Sequence, residues 1–247
     1  MFSLLYYVYC MSRQLNNKQI TTLQLILRFR YVTADNLANA RNITHHSAYS
    51  ALEILKKTGY LGKIHDKSYR LLNKSARYFL TPQALIYLRD LKDSKIDKAL
   101  LLNRRYEDRR SQDFIDYQVA IHSAYIELSM RFGEDKVFVA TDLVGTEGII
   151  KPLPGLYVKI ANNNHFFVEL IDGQHLFLAK KRIRKYIENY DNNEWEWDSY
   201  PSVYFVRSSA NDRSRLKKYI ETQMDDAYLD ADDFSIYIVS KISNIPS

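Results

Sequence analysis

A break near residue 91 limits the folds open to this chain more than any other feature. Between Leu91 and Gln112, in KDSKIDKALLLNRRYEDRRSQ, charge density rises and the apolar pattern thins, and Ala99–Leu102 is placed to form a short helical connector. Charge divides at the same place. Residues 1–111 hold 20 Lys and Arg against 8 Asp and Glu, and residues 112–247 hold 15 against 21, so a net of +12 precedes a net of −6. At roughly 150 residues per domain, 247 residues make one large or two small domains, and the break argues for two. A basic half joined to an acidic one is the pattern of a nucleic-acid-binding module attached to a second domain.

Composition narrows the class. Only 7 Gly and 5 Pro, with 46% hydrophobic residues, exclude a collagen-like, linker-rich or disordered chain. The single Cys10 excludes a disulfide framework and a Cys-cluster zinc site. Met1–Cys10 (MFSLLYYVYC) is apolar, but Ser12, Arg13 and Gln14 end the run well short of the roughly 20 residues that a membrane-spanning helix needs. It also lacks the basic start and small-residue cleavage site of a secretory signal. Met11 reads like a second start. The apolar start is therefore expected to be either an overlong start or, as residues 1–14, a short extension packed on the domain of a cytoplasmic protein with no membrane partner.

Residues 15–91 carry the more specific pattern. Ile20, Leu23, Ile26 and Leu27 fall at helical spacing, so Asn17–Arg28 is expected to form an amphipathic helix. Thr33 is an N-cap for a second helix with Leu37 and Ala38 inward, and Arg41-Asn42-Ile43 makes a turn. Thr44 caps a third helix in which Ala48, Ala51, Leu52 and Leu55 repeat, and Gly59 follows as its left-handed C-terminal residue. Tyr60–His65 reads as a strand, Asp66-Lys67-Ser68 as a turn, Tyr69–Leu72 as the partner strand, and Arg77–Leu80 as another extended piece. Thr81-Pro82 starts a last helix. This order is that of a winged helix-turn-helix.

In that fold the third helix offers its non-core face to the major groove of DNA. The exposed positions are Thr44, whose backbone end can hold a phosphate, then His45, His46, Ser47, Tyr49, Ser50 and Lys57. The wing adds Lys63, Lys67 and Arg70 as phosphate contacts, while Glu53 is suited to accept from a cytosine amino group. His45-His46 is no metal pair, because adjacent helical residues point about 100° apart and no further ligand completes a set. Winged helices also serve as protein-interaction modules, and the +12 balance favours DNA.

Residues 112–247 read as a mixed α/β sandwich. A long helix Gln112–Phe132 with Ile115, Val119, Tyr125 and Leu128 on one face precedes strands at Lys136–Ala140, Leu156–Ile160 and His165–Leu170, the last two joined through Ala161 and Asn162–Asn164. A basic helix Leu178–Tyr190, a strand Ser202–Arg207, a helix capped by Asn211 and a strand Phe234–Val239 follow. The order is similar to that of the restriction-endonuclease-like core. Enzymes with that core use an Asp on one strand, a Glu-x-Lys on the next, and magnesium to activate water. Glu169 stands near the end of its strand, but Leu170, Ile171 and Asp172 follow it, so the Lys is absent. Asp172, Lys180 and Lys181 are the candidates to complete a catalytic set with Glu169. Two oxygen ligands are too few to hold Mg²⁺ without help from substrate, and Lys180 and Lys181 read more simply as a solvated helix face.

The run QITTLQLILRFRYVTADNLA, with YLGKIH, YFLTPQAL and HSAYIEL downstream, resembles the replication-relaxation family of plasmid and phage-type proteins. That resemblance implies a winged helix-turn-helix joined to a degenerate endonuclease-like domain, acting in plasmid replication and DNA relaxation. Family members carry Pro-Asp-Gly before the strand that begins here at Leu156, whereas this chain has Leu153-Pro154-Gly155. Glu169, Asp172, Arg184 and Tyr186 match later parts of the family pattern.

The expectation is thus an α+β protein. It comprises an extension (1–14), a winged helix (15–91), a charged connector (92–111) and an inactive endonuclease-like domain (112–247). Double-stranded DNA is its partner, and residues 112–247 provide a homodimer contact or a seat for a replication protein. No cofactor is implied unless the chain is instead a magnesium-dependent nuclease or nickase. A winged-helix transcriptional regulator is the other alternative.

Overall fold

The computed structural model describes residues 14–91, 96–161, 164–193, 195, 197–229 and 234–246. The expected N-terminal extension, apart from Gln14, and the hairpin residues Asn162 and Asn163 lie outside these. The chain divides into two compact units, one of the residues up to Ala38 with Ile43–Arg109 and the other of Asn39–Asn42 with the residues from Arg110 on.

The first unit begins with α1 (Asn17–Phe29), held at its start by a capping box between Asn16 and Gln19. Leu23, Ile26 and Leu27 line its buried face, as their spacing requires. Helix α2 (Ala34–Arg41) buries Leu37 and Ala38. Helix α3 (His45–Lys57) buries Ala48, Leu52 and Leu55, and Ala51 is half-buried. It ends in a Schellman motif, in which the Tyr60 N–H donates to the Leu55 carbonyl and the Gly59 N–H, at φ +83°, to that of Lys56.

Strand β1 (Leu61–Ile64) pairs antiparallel with β2 (Arg77–Leu80), in register from Leu61 opposite Leu80 to Ile64 opposite Arg77. Val32 adds a bridge to Tyr78 on the other side of β2. The partner strand is therefore not Tyr69–Leu72, which corrects the sequence expectation. Those residues belong to a short helix, α4 (Lys67–Leu71), and the turn expected at Asp66–Ser68 is its beginning. The Asp66 carboxylate accepts from the Ser68 and Tyr69 N–H groups and caps it. Asn73, at φ +53°, ends it in the left-handed region, with Lys74 N–H returning to the Tyr69 carbonyl. Helix α5 (Pro82–Arg89) starts at Thr81, whose hydroxyl accepts from the Ala84 N–H. Three helices, a hairpin and a further helix make the winged helix-turn-helix.

The charged stretch after it includes α6 (Lys98–Asn103), whose Leu101 is buried in the same core, and a 3₁₀ turn at Glu107–Arg109. Glu107 is buried against Arg30 at 2.6 Å, and its carbonyl accepts from the Tyr31 hydroxyl.

The second unit is a five-stranded mixed sheet with helices on both faces. Helix α7 (Gln112–Phe132) is capped by Ser111 and packs against β3 (Val137–Val139), β4 (Leu156–Ala161) and β5 (Asn164–Leu170). The sheet order is β3-β4-β5-β6-β7, antiparallel through β5 and parallel from there on. Parallel neighbours need crossovers, supplied by α8 (Leu176–Asp191) between β5 and β6 (Ser202–Val206), and by α9 (Ala210–Asp226) before β7 (Ile236–Val239). Strand β5 is buried along His165–Glu169, and Phe166, Phe167 and Val168 make the apolar run expected of a strand covered on both faces. Phe167, Val203 and Phe205 share a core with Ile183, Tyr186 and Leu216 of the crossover helices. Ser209, not Asn211, caps α9: its hydroxyl accepts from the Asp212 N–H.

Gly62 of β1 lies opposite Phe79, and a Cβ built there would stand 2.2 Å from the ring. Gly62→Ala should overpack the hairpin and destabilise the first unit by about 1–3 kcal/mol. Chemical denaturation of the two proteins checks this, and an unchanged midpoint would contradict it.

Candidate nucleic-acid interface

The geometry of α3 follows from its caps. The Thr44 hydroxyl accepts from the Ser47 N–H at 3.2 Å and donates to the Ser47 hydroxyl, fixing the first turn. His45, His46, Ser47, Tyr49 and Lys57 are exposed and Ser50 is half-buried. His45 Nε2 lies 3.5 Å from an Asp35 carboxylate oxygen at the surface. No group of three His, Cys, Asp or Glu among the described residues is arranged to hold a metal ion.

Sequence reading missed Ile54, which is 45% exposed on the same helix. It stands outside the Ala48, Ala51, Leu52, Leu55 repeat and one turn beyond Ser50, and that helical phase was the available signal. An apolar side chain there is suited to contact a thymine methyl.

The wing divides its cations into two kinds. Lys67 and Arg70 on α4 are exposed, with Leu71 and Leu72 exposed beside them. Lys63 on β1 is instead engaged: its ammonium donates to Glu53 at 2.7 Å and lies 5.5 Å from the Tyr49 ring and 5.4 Å from the Tyr78 ring. The same Glu53 oxygen accepts from the Tyr78 hydroxyl at 2.7 Å. Glu53 is thus a clamp between helix and hairpin, with one carboxylate oxygen taking both donors. The hydrogen bond from Lys63 holds the Glu53 carboxyl below its ordinary range, against the opposing effect of burial, and the Tyr78 hydroxyl adds to the lowering.

In the second unit Glu169 is buried on the sheet face that α8 covers. One of its oxygens accepts from Arg182 Nε at 2.8 Å, from an Arg182 Nη at 2.5 Å and from the Tyr186 hydroxyl at 2.6 Å. Burial disfavours the Arg182 charge, but the attraction of Glu169, with Tyr186 adding, outweighs it and holds the guanidinium above its ordinary range. Burial, and then Glu169, push the Tyr186 hydroxyl well up. Asp172 is exposed and accepts from the Ser208 N–H and hydroxyl, both at 2.8 Å. Lys180 lies over the Tyr219 ring at 4.7 Å, and Lys181 is exposed. The four catalytic candidates thus have separate engagements, and all three donors to Glu169 meet the same oxygen, Oε1. Glu169 and Asp172 are too few oxygen ligands for Mg²⁺, and no group of three His, Cys, Asp or Glu stands here among the described residues.

Two measurements test these pairs. Because Glu53 is more acidic folded than unfolded, its clamp contributes stability above the unfolded value of about 4.3 and loses it as pH falls through the lower folded value. The protection factors of the α3 amides, taken relative to the intrinsic exchange rate at each pH, should fall on acidification through that window, and less so in Glu53→Gln; equal acid dependence would contradict the clamp. Glu169→Ala strands a buried guanidinium and should destabilise the second unit by about 3–5 kcal/mol. The fluorescence of Trp195 and Trp197, both in that unit, reports its unfolding.

No family model matches this chain, and no curated protein matches it. Among solved structures it aligns with the crystal structure of the adhesin competence repressor AdcR from Streptococcus pyogenes. The identity is 20%, over 56% of this chain and 78% of that one, with a TM-score of 0.25. A likeness at that score carries no argument, and the winged helix-turn-helix rests on the element order and strand pairing of the chain itself.

Proposed function

We propose that this chain is a sequence-specific double-stranded DNA-binding protein that acts in replication, or its control, on a plasmid or phage-type element. The observation that carries DNA binding is the exposed polar face of α3, from Thr44 to Lys57, beside a wing with Lys67 and Arg70 exposed, in the half of the chain with the basic excess. The helix reads base edges through Ser47, Tyr49 and Ser50, flanked by His45 and His46, and the α3 N-terminus and wing hold phosphates. Lys63 acts from behind, fixing the Tyr49 ring. The replication role is supported by the resemblance of the first-helix run and its downstream segments to the replication-relaxation family. The second unit supplies a homodimer contact or the seat of a replication protein.

A mobility-shift titration over salt tests DNA binding. Affinity should fall steeply with salt, with a logarithmic slope of about −0.9 per neutralised phosphate. Lys67→Ala and Arg70→Ala should each weaken binding to all sequences alike and reduce that slope by about 1. Lys63→Met should leave the slope in place, since its charge is already neutralised by Glu53. Tyr49→Ala or Ser50→Ala should change which base pairs are preferred, by about 1–3 kcal/mol at the affected position. Binding that is indifferent to salt, or a sequence preference that survives loss of residues 1–91, would overturn the reading.

A further inference from the structure

The acidic half of the chain contains a concentrated basic surface. Nine of the fifteen Lys and Arg residues of 112–247 lie in two six-residue stretches, Lys180–Lys185 and Arg213–Lys218, and neither stretch holds an acidic residue. The fold places these stretches on α8 and α9, which pack against each other. Each lies in the second and third turns of its helix, and both helices start from the ends of parallel strands, so the stretches sit at one level. The Lys180 ammonium of α8 seated over the Tyr219 ring of α9 fixes that alignment.

Helical phase sorts the nine. Arg182 turns to Glu169, Arg213 donates to the Arg207 and Ser208 carbonyls, and Lys185 donates to the Lys151 carbonyl. Lys217 faces the β7 side, beside Glu221 and Ile236. With Ala179, Ile183 and Ile187 of α8 and Leu216, Ile220 and Met224 of α9 pointing into the core, the other five border the seam between the helices. Lys181, Arg184, Arg215 and Lys218 are exposed, and Lys180 is half-buried on Tyr219. Glu188 and Asp226 stand farther along the seam, and Asp212 near its start is paired with Arg207 at 2.6 Å. Like charges one turn apart, such as Lys180 and Arg184, disfavour a helix, so helix stability does not account for them. Phe177, 60% exposed, is one turn before Lys180 and Lys181 on the same flank.

We infer that the seam between α8 and α9 is a second nucleic-acid-binding surface, which takes the phosphodiester backbone on Lys180, Lys181, Arg184, Arg215 and Lys218. The choice of nucleic acid as the polyanion rests on the DNA-binding reading of the first unit. A duplex and a single strand share this backbone chemistry. Phe177 separates them, because an exposed ring beside a basic track stacks on an unpaired base and has no such partner in an intact duplex.

The test uses the full chain and two fluorescent probes of random sequence, a duplex of about 20 base pairs and a single strand of the same length, in anisotropy titrations at several salt concentrations. The variant carries Lys181→Gln, Arg184→Gln, Arg215→Gln and Lys218→Gln, all at exposed positions, and a thermal melt confirms that it folds. It should bind at least one probe roughly tenfold more weakly, with the salt slope reduced by about 0.7–0.9 for each phosphate that is no longer neutralised. Phe177→Ala should weaken the single-strand probe alone if unpaired bases are taken, and neither probe if the duplex backbone is. A quadruple variant within twofold of the parent on both probes overturns the inference. Lys67→Ala/Arg70→Ala keeps the two readings apart: if that pair weakens binding and the quadruple variant does not, the winged-helix reading stands and the seam fails. The reverse result retains the seam and removes the winged helix.

Discussion

The side chain of Glu53 couples the exposed helix of the first unit to its hairpin. It stands on the flank of α3 that meets β1, where it receives the Lys63 ammonium and the Tyr78 hydroxyl at 2.7 Å each. A surface ion pair contributes little by itself, about 0–1 kcal/mol. This pair is only about one-fifth exposed, and the same ammonium lies against two aromatic rings, so removing either partner leaves a poorly solvated charge. One of those rings, Tyr78, is the strand residue that also bridges Val32. The other, Tyr49, stands on the surface proposed to meet DNA. An aromatic ring held from behind by a cation enters a groove with less rotamer entropy left to lose.

The second unit solves a comparable problem in its core. A carboxylate at the end of a buried strand needs a counter-charge and hydrogen bonds, or its desolvation would oppose folding. Arg182 and Tyr186, one turn apart on α8, supply both to Glu169. In the endonuclease-like arrangement that the element order suggested, the corresponding carboxylate must keep an oxygen for a metal. Here the donors to Glu169 come from the crossover helix itself, so the carboxylate ties β5 to α8.

Much of the fold was legible because it is written locally. Thr44, Thr81 and the spacing of Leu23, Ile26 and Leu27 each act within a turn of where they stand, and the structure uses them so. Residues 67–72 misled because an alternating look around Tyr69 outweighed two punctuating residues, Asp66 and Asn73, that favour a short helix. The placement of the α9 cap was ambiguous for a related reason, since Ser209 and Asn211 are both good caps and only the backbone path chooses between them. The clamp on Glu53 could not be read, because its partners lie 10 and 25 residues away and no periodicity encodes such pairs. Arg182 sits inside KKRIRK and looks like its neighbours. Its position one residue before the core residue Ile183 and one turn before Tyr186 is what distinguishes it.

Charge shows the same limit in a different form. The balance of −6 over residues 112–247 suggests a module repelled by DNA, yet a phosphate does not meet an average over 136 residues. At physiological ionic strength the field of an exposed charge decays within about 8–10 Å. A helix rises about 1.5 Å per residue, so Glu188 stands about 12 Å along the axis from Lys180, beyond that length, and about 6 Å from Arg184, within it. The acidic end of α8 therefore offsets Arg184 and leaves Lys180 and Lys181 largely untouched. The division into a DNA-attracting and a DNA-repelling half holds for the sums alone. What a polyanion encounters is set by helical phase and by which cations are already bound inside the fold.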